Sequence, residues 1–475
     1  MASPHIAVVA FPFSSHAPKL LAVARAIAAA APSATVSFLS SHNSLARLRG
    51  PAVPMNLKFV EVSSVQWDEQ TPTLRRIELF LDAAEEGGLK YSLETAASMA
   101  GGQKVSCVVG DAFMSMAAEA GVPWVAVWTG GPCALLAHLH GDAIRADIGD
   151  DGMLLTAYPG LGSFRVRDLP FGDAGTGGEM FRAMSRLLRR VVERLPRAAT
   201  ATVLNFFPGL FPPEIPAALA DGIPNSLPIG PYHQIPCNDT AAPADDDQHG
   251  CLAWLDSRPS GSVAYVSFGT VVALPPEELR QLALGLHDAG APFLWSLREE
   301  SWPLLPPELL DRSAAAGLVV PWTPQAAVLR HPAVGAFVTH SGWGAVLEAM
   351  SGGVPMLCRP FFGDQMMNAR AVECMWGFGM AFSDDAPVTR GGAAAAVASL
   401  QAMVVRAFEP EGGSIINFLK LVDSTTSLPH VLILKSNLSR RHRQRAWLGG
   451  IADDGTRTTP STQATSLFPD ADANK

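Results

Sequence analysis

The chain has 475 residues, of which 48% are hydrophobic and 17% charged, and a formal net charge of −9. That length accommodates about two domains at ~100–250 residues each, with ample apolar content for a large core. The acidic balance excludes a chain that binds nucleic acid over its whole surface.

The cysteines Cys107, Cys133, Cys237, Cys251, Cys358 and Cys374 are scattered, with no Cys-x-x-Cys pair. They read as reduced thiols of a cytoplasmic protein, not a disulfide frame or a zinc site. The opening "MASPHIAVVAFPF" lacks a basic leader, and no uncharged apolar run reaches the ~18 residues a membrane span needs. Neither a signal peptide nor an integral membrane segment is expected.

"HIAVVAFPF" (His5–Phe13) is a continuous apolar run, as a parallel strand covered on both faces requires. After "SSHAP", Leu20, Ala24, Ile27 and Ala31 recur at helical spacing. "TVSFLSS" is the next strand, "VSCVVGD" another, "FMSMAAEAG" a helix and "PWVAVWT" a strand. This alternation predicts an open parallel sheet with helices on both faces. Residues 236–250, polar, acidic and rich in Pro and Ala, read as a linker between a domain at 1–235 and one at 251–423.

The pattern then restarts. "SVAYVSFGT", "PFLWSLR", "GLVVPW", "AVGAFVTH" and "VPMLCRP" are strands, and "PPEELRQLALGLHDAG" is a helix. Ligands of such sheets sit at the carboxyl ends of the strands. Residues 424–475 carry a basic cluster, Arg440–Arg445, and then a Ser/Thr/Asp/Pro-rich end. They are expected to form a disordered, solvated tail with no role in nucleic-acid binding.

The chemistry concentrates at strand ends. In "FVTHSGWGAVLEAM" a strand passes through Gly342 and Gly344 into a helix. Such a turn lets the backbone approach an anion, and the free N–H groups of the helix start favour one. His340 can donate to a phosphate there, and Glu348, about one turn into the helix, can accept from a vicinal diol. The plainer alternatives are a capping or core histidine and a glutamate that merely complements the helix dipole.

"SFGT", ending at Thr270, is a second loop of this kind. "PWTPQ" offers the face of Trp322 and the amide of Gln325, and Asp364-Gln365 are adjacent polar groups suited to sugar hydroxyls. In the first half, His16 stands after the first strand at a helix start, and Asp111 ends a later strand of the same sheet. Strand ends converge, so a His–Asp contact that orients the ring is geometrically available. The alternative is a loop histidine and a strand-end aspartate that never meet.

"WTPQAAVLRHPAVGAFVTHSGWGAVLEAMSGGVPMLCRPFFGDQMMN" (Trp322–Asn368) resembles the signature box of plant-type UDP-dependent glycosyltransferases. "FPFSSHAPKLL", "VVGDAF", "VWTGGP" and "RVRDLP" resemble the corresponding stretches of the flavonoid and anthocyanidin 3-O-glucosyltransferase branch. The resemblance covers residues 5–422. It implies the α/β GT-B fold, with two Rossmann-like, doubly wound parallel-sheet domains facing a cleft.

It further implies that Trp322 stacks on uracil and the Thr323 backbone reads its edge. Gln325 and Glu348 hold the ribose, while His340, Thr270 and the Trp343 backbone attend the phosphates. Thr129, Asp364 and Gln365 hold the sugar, the Gln favouring glucose. His16 is the implied general base with Asp111 behind it. The acceptor, a planar polyphenol, lies against Phe13, Phe113, Trp128 and His138. UDP-glucose is a co-substrate. No resident cofactor or metal is expected, and a monomer is.

Two departures stand out. The family box has Asn-Ser where this chain has Gly344-Ala345, and each lost hydrogen bond to a charged group is worth ~1.5–3 kcal/mol. The family also closes with a helix that packs back on the N-terminal domain. Here the stretch after Asp384 reads as shortened near residues 399–401, so that contact is expected to be compromised. Besides an active 3-O-glucosyltransferase, the readings that remain are a weak or inactive relative that binds ligand without turnover and a transferase of the same fold acting on another lipophilic aglycone.

Overall fold

The computed structural model describes residues 3–13, 16–49, 53–62, 71, 73–147, 149–171, 179–235, 247–269, 274–288, 292–305, 317–381, 406, 409, 411 and 413–426. The expected tail from 427 on and residues 236–246 of the expected linker lie outside them.

The first sheet is built from β1 (His5–Val9), β2 (Thr35–Ser40), β3 (Leu57–Glu61), β4 (Cys107–Asp111), β5 (Trp124–Trp128), β6 (Ala201–Leu204) and β7 (Ser226–Pro228). It runs in the order β3-β2-β1-β4-β5-β6-β7, and every pairing is parallel. The second contains β8 (Val263–Ser267), β9 (Phe293–Ser296), β10 (Gly317–Val320), β11 (Val334–Thr339), β12 (Met356–Cys358) and β13 (Gly379–Ala381). Its order is β10-β9-β8-β11-β12-β13, again all parallel.

Burial explains the apolar runs. All five residues of β1, β4 and β5 are buried, so no alternation survives in their sequence. The helix His16–Ala30 lies on this sheet through small side chains, burying Ala17, Ala24, Ala26 and Ala28 along with Leu20, Leu21, Val23 and Ile27. Pro18 falls in its first turn, where the missing N–H costs nothing. The helix expected after Asp111 is a 3₁₀ helix, Ala112–Glu119, tightened at its start by the Asp111 side chain accepting from Phe113 N.

The halves share a core. An aromatic seam joins the two sheets into one compact unit. Trp343 Nε1 donates to Asn205 O at 2.6 Å, and Trp376 Nε1 donates to Leu210 O at 3.0 Å. Phe211 stacks on Trp343 with ring centroids 6.1 Å apart. Among the described residues no helix is long and apolar enough to cross a membrane.

The C-terminal expectation needs correcting. The boundary expected at 423 falls inside the helix Gly413–Thr426, and that helix packs on the first half. Phe418 and Val422 join the core around Ile6, Val8 and Val36. Ser414 Oγ donates to Gly230 O at 2.8 Å, and Asn417 Nδ2 donates to Pro228 O at 2.9 Å. The closing contact is thus present, carried by the apolar spacing of "IINFLKLV" despite the altered sequence before it. Phe418→Ala should lower unfolding free energy by ~3–5 kcal/mol in urea titration; a loss under ~1 kcal/mol, the level of an ordinary surface substitution, would mean the helix is not docked.

Candidate active site at two facing rims

Each sheet reverses its strand order once, between β1 and β4 in the first and between β8 and β11 in the second. Connections leave such a switch point in opposite directions and open a crevice at the carboxyl ends. Contacts bring the two rims together. Asp364, beyond β12, accepts from Gly131 N, beyond β5, at 2.8 Å. His233 Nε2 lies 3.1 Å from Ser351 Oγ. Trp343, beyond β11, reaches Asn205, beyond β6.

At the first switch point His16 Nδ1 lies 2.8 Å from Asp111 Oδ2. Asp111 is only 1% exposed, and its other oxygen accepts from Phe113 N at 2.9 Å. The carboxylate is thus fixed at both oxygens. A carboxylate only accepts, so Nδ1 carries the proton and Nε2 keeps its lone pair. Thr129 Oγ1, beyond β5, lies 3.0 Å from the same Nδ1. This hydroxyl, expected to hold the sugar, sits against the histidine, where it can share the Nδ1 proton with Asp111. The arrangement holds the imidazole in one orientation.

Aromatic rings surround it. Phe113 is 4.8 Å from the His16 ring and Phe11 is 5.2 Å from it, with Phe13 5.2 Å from Phe11 and Trp128 6.0 Å from Phe113. Three of the expected wall residues, Phe13, Phe113 and Trp128, therefore gather here. His138 does not share their ring contacts; its ring packs 5.6 Å from Phe171, and burial, helped by Arg145, pushes it down to about 4. Phe11, part of the apolar run "HIAVVAFPF", was missed because it reads as plain strand core.

The second rim supplies a polar relay. Tyr265 OH donates to Gln325 Oε1 at 3.1 Å, and Gln325 Nε2 donates to Glu348 Oε2 at 2.8 Å. Thr323 Oγ1 lies 2.7 Å from the tyrosine oxygen, whose single proton is already committed, so Thr323 is the donor. All three links point toward Glu348. Burial raises the Glu348 carboxyl above its ordinary range, while Gln325, Lys19 and Arg330 oppose the rise. Tyr265 was missed in the sequence, though a tyrosine in a buried strand must find a hydroxyl partner. Trp322 stands beside this relay with 43% of its surface exposed, a free ring face.

His340 sits at the second switch point. Its ring is wedged between Gly269 and Gly342; a Cβ at 342 would lie 2.5 Å from His340 Nε2. Both glycines are therefore required for the ring to lie flat in the turn. Burial pushes His340 down to about 4, against a backbone hydrogen bond with Ser267, and Lys19 adds to the fall. It is a neutral hydrogen-bonding group near neutral pH. Trp343 opens the helix Trp343–Gly352, with Gly344 and the buried Ala345 next.

Gln365 is 6% exposed and its Oε1 accepts from Phe361 N at 2.9 Å and Phe362 N at 3.3 Å. Of the Asp364-Gln365 pair, Asp364 thus spends one oxygen on the contact with Gly131 across the rims and Gln365 spends its oxygen on local structure. Thr270 lies outside the described residues.

With this geometry in view, comparison with known proteins is direct. The family model for UDP-glucoronosyl and UDP-glucosyl transferases matches residues 6–400. An anthocyanidin 3-O-glucosyltransferase of Zea mays is 54% identical, over 88% of this chain and 97% of its own length. A myricetin 3-O-rhamnosyltransferase of Crocosmia x crocosmiiflora is 44% identical, over 79% of this chain and 84% of its own. The crystal structure of a UDP-glucose:anthocyanidin 3-O-glucosyltransferase in complex with UDP superposes with a TM-score of 0.80 at 33% identity, over 90% of this chain and 99% of that one. Two switch points facing each other across a seam are the GT-B architecture, and the chain belongs to the UDP-glucoronosyl and UDP-glucosyl transferase family.

Proposed function

We propose that the protein transfers glucose from UDP-glucose to a hydroxyl of a flavonol or anthocyanidin, the 3-hydroxyl above all, with inversion at the anomeric carbon. The observation that carries this reading is the His16–Asp111 pair within a ring of aromatic side chains, opposite the Thr323–Tyr265–Gln325–Glu348 relay. His16 Nε2 takes the acceptor proton as the hydroxyl oxygen attacks. Asp111 holds the ring and stabilises the imidazolium that forms. UDP departs from the opposite face, and the helix-start N–H groups and neutral His340 donate to its growing charge.

Trp322 stacks on the base, Gln325 and Glu348 accept the ribose, and Asp364 and Gln365 use their remaining polar atoms on the hexose. The nucleotide sugar is itself the activated reactant, so the reading asks for no metal or resident cofactor. Both rims come from one chain, which suits a monomer, and the free thiols Cys107, Cys133, Cys358 and Cys374 suit the reducing cytoplasm.

One observation favours a second reading, a binder without turnover: Gly344-Ala345 lacks the side chains of the family box. The other support for it, a lost closing helix, falls away because Gly413–Thr426 is docked. The sugar is also open to test, since one relative is named for rhamnose.

Purified protein incubated with several UDP-sugars and several polyphenols, with products read by mass, should yield a monoglucoside. His16→Ala should lower the rate ~10²–10⁴-fold. Asp111→Asn should lower kcat to a similar extent, ~10²–10⁴-fold, because an amide donating to Nδ1 moves the ring proton to Nε2 and blocks the base. No transfer by the parent, or undiminished transfer by His16→Ala, would overturn the reading.

A further inference from the structure

Lys19 is the residue the site's chemistry has so far left unused. It lies three residues after His16 in the first turn of the helix His16–Ala30, and so on the same helical face. The side chain is half-buried and crosses from the first rim to the second. A Cβ built on Gly344 would stand 3.1 Å from Lys19 Nζ and 3.2 Å from Cε. The ammonium therefore rests at the opening turn of the helix Trp343–Gly352, against the position where this chain departs from the family box.

Its surroundings come from both halves. Glu348, Asp364 and Asp111 act on it as opposing charges, and it in turn depresses His340 and His233. Burial lowers the Lys19 pKa and the three carboxylates oppose that fall. His340, held neutral, brings a hydrogen bond but no charge to the phosphate end.

We propose that Lys19 is a donor-binding residue: its ammonium meets the diphosphate of the nucleotide sugar at Gly344, supplying as charge what the Asn-Ser pair of the family box supplies as hydrogen bonds. The assignment rests on the donor-site reading above. A lysine is a compact point charge well suited to phosphate, and charge-assisted hydrogen bonds are about twice as strong as neutral ones. As the sugar leaves, negative charge grows on the diphosphate beside the ammonium, so the contact strengthens along the reaction.

The same geometry couples position 344 to the lysine. A side chain there contends with the ammonium for space, and one of the two gives way by a few tenths of an ångström. Gly344 leaves room for Lys19, and Lys19 replaces what Gly344-Ala345 lacks.

The test is calorimetric binding of UDP and of uridine to the full chain. Lys19→Gln should weaken UDP at least ~10-fold while uridine, which lacks the phosphates, stays within ~2-fold of the parent. Gly344→Asn in the parent should not tighten UDP, because it crowds Lys19. Gly344→Asn with Ala345→Ser added to Lys19→Gln should recover UDP affinity.

UDP affinity unchanged in Lys19→Gln would overturn the assignment, and so would a parallel loss of uridine, which would mark a structural role. A parent that binds neither ligand would overturn the donor-site reading itself, and this assignment with it.

Discussion

The organising constraint is that parallel strands buried on both faces have nowhere to carry chemistry except their ends. β1, β4 and β5 are wholly buried, so an ionisable side chain along them would have to be paired or neutral. Chemistry collects at the carboxyl rim, and most of all at the switch point, where the crevice is widest. In the first sheet this places His16 beside Asp111; in the second it places His340 between two glycines. The aromatic seam of Trp343, Trp376 and Phe211 then turns the two rims toward each other. Each half of the site is an ordinary consequence of its sheet, and the pairing of the halves makes a transferase.

Charge is distributed unevenly between the rims. The first rim has a carboxylate locked by two hydrogen bonds, which orients the His16 ring. The second rim is desolvated: His340 is held neutral and Glu348 is pushed upward by burial. A dianionic diphosphate entering such a place gains little from neutral donors alone. Lys19 belongs by sequence to the first rim and by position to the second, and this is what makes its placement against Gly344 informative.

Much of this was legible in the sequence, for identifiable reasons. Fully buried strands are continuous apolar words such as "HIAVV" and "WVAVW", and His16, Asp111 and His340 follow or end recognisable elements, with Glu348 one turn into a helix. β3, β6, β7 and β13 were not read, because segments of three to five residues such as "LKFVE", "SLP" and "GMA" are too short for a period to emerge. The apolar spacing of "IINFLKLV" marks a face to be buried, but its partner in the opposite half is a long-range contact that no local pattern names. The Thr129 hydroxyl lies on His16, a contact between distant stretches that no local pattern shows. His138 was placed in the acceptor wall, but its ring partner is Phe171. Tyr265 and Lys19 have local signals, a hydroxyl in a buried strand and a cation one turn from the base, but their partners come from distant sequence.

The transferase reading stands or falls on His16, oriented by Asp111, removing the acceptor's proton. The most direct measurement compares the parent with His16→Ala on a series of phenolic acceptors of decreasing hydroxyl pKa. If the imidazole is the base, the deficit should be largest, on the order of 10³-fold, for weakly acidic hydroxyls and should shrink toward none for phenols already ionised at the assay pH. A deficit that stays the same across the series would contradict it.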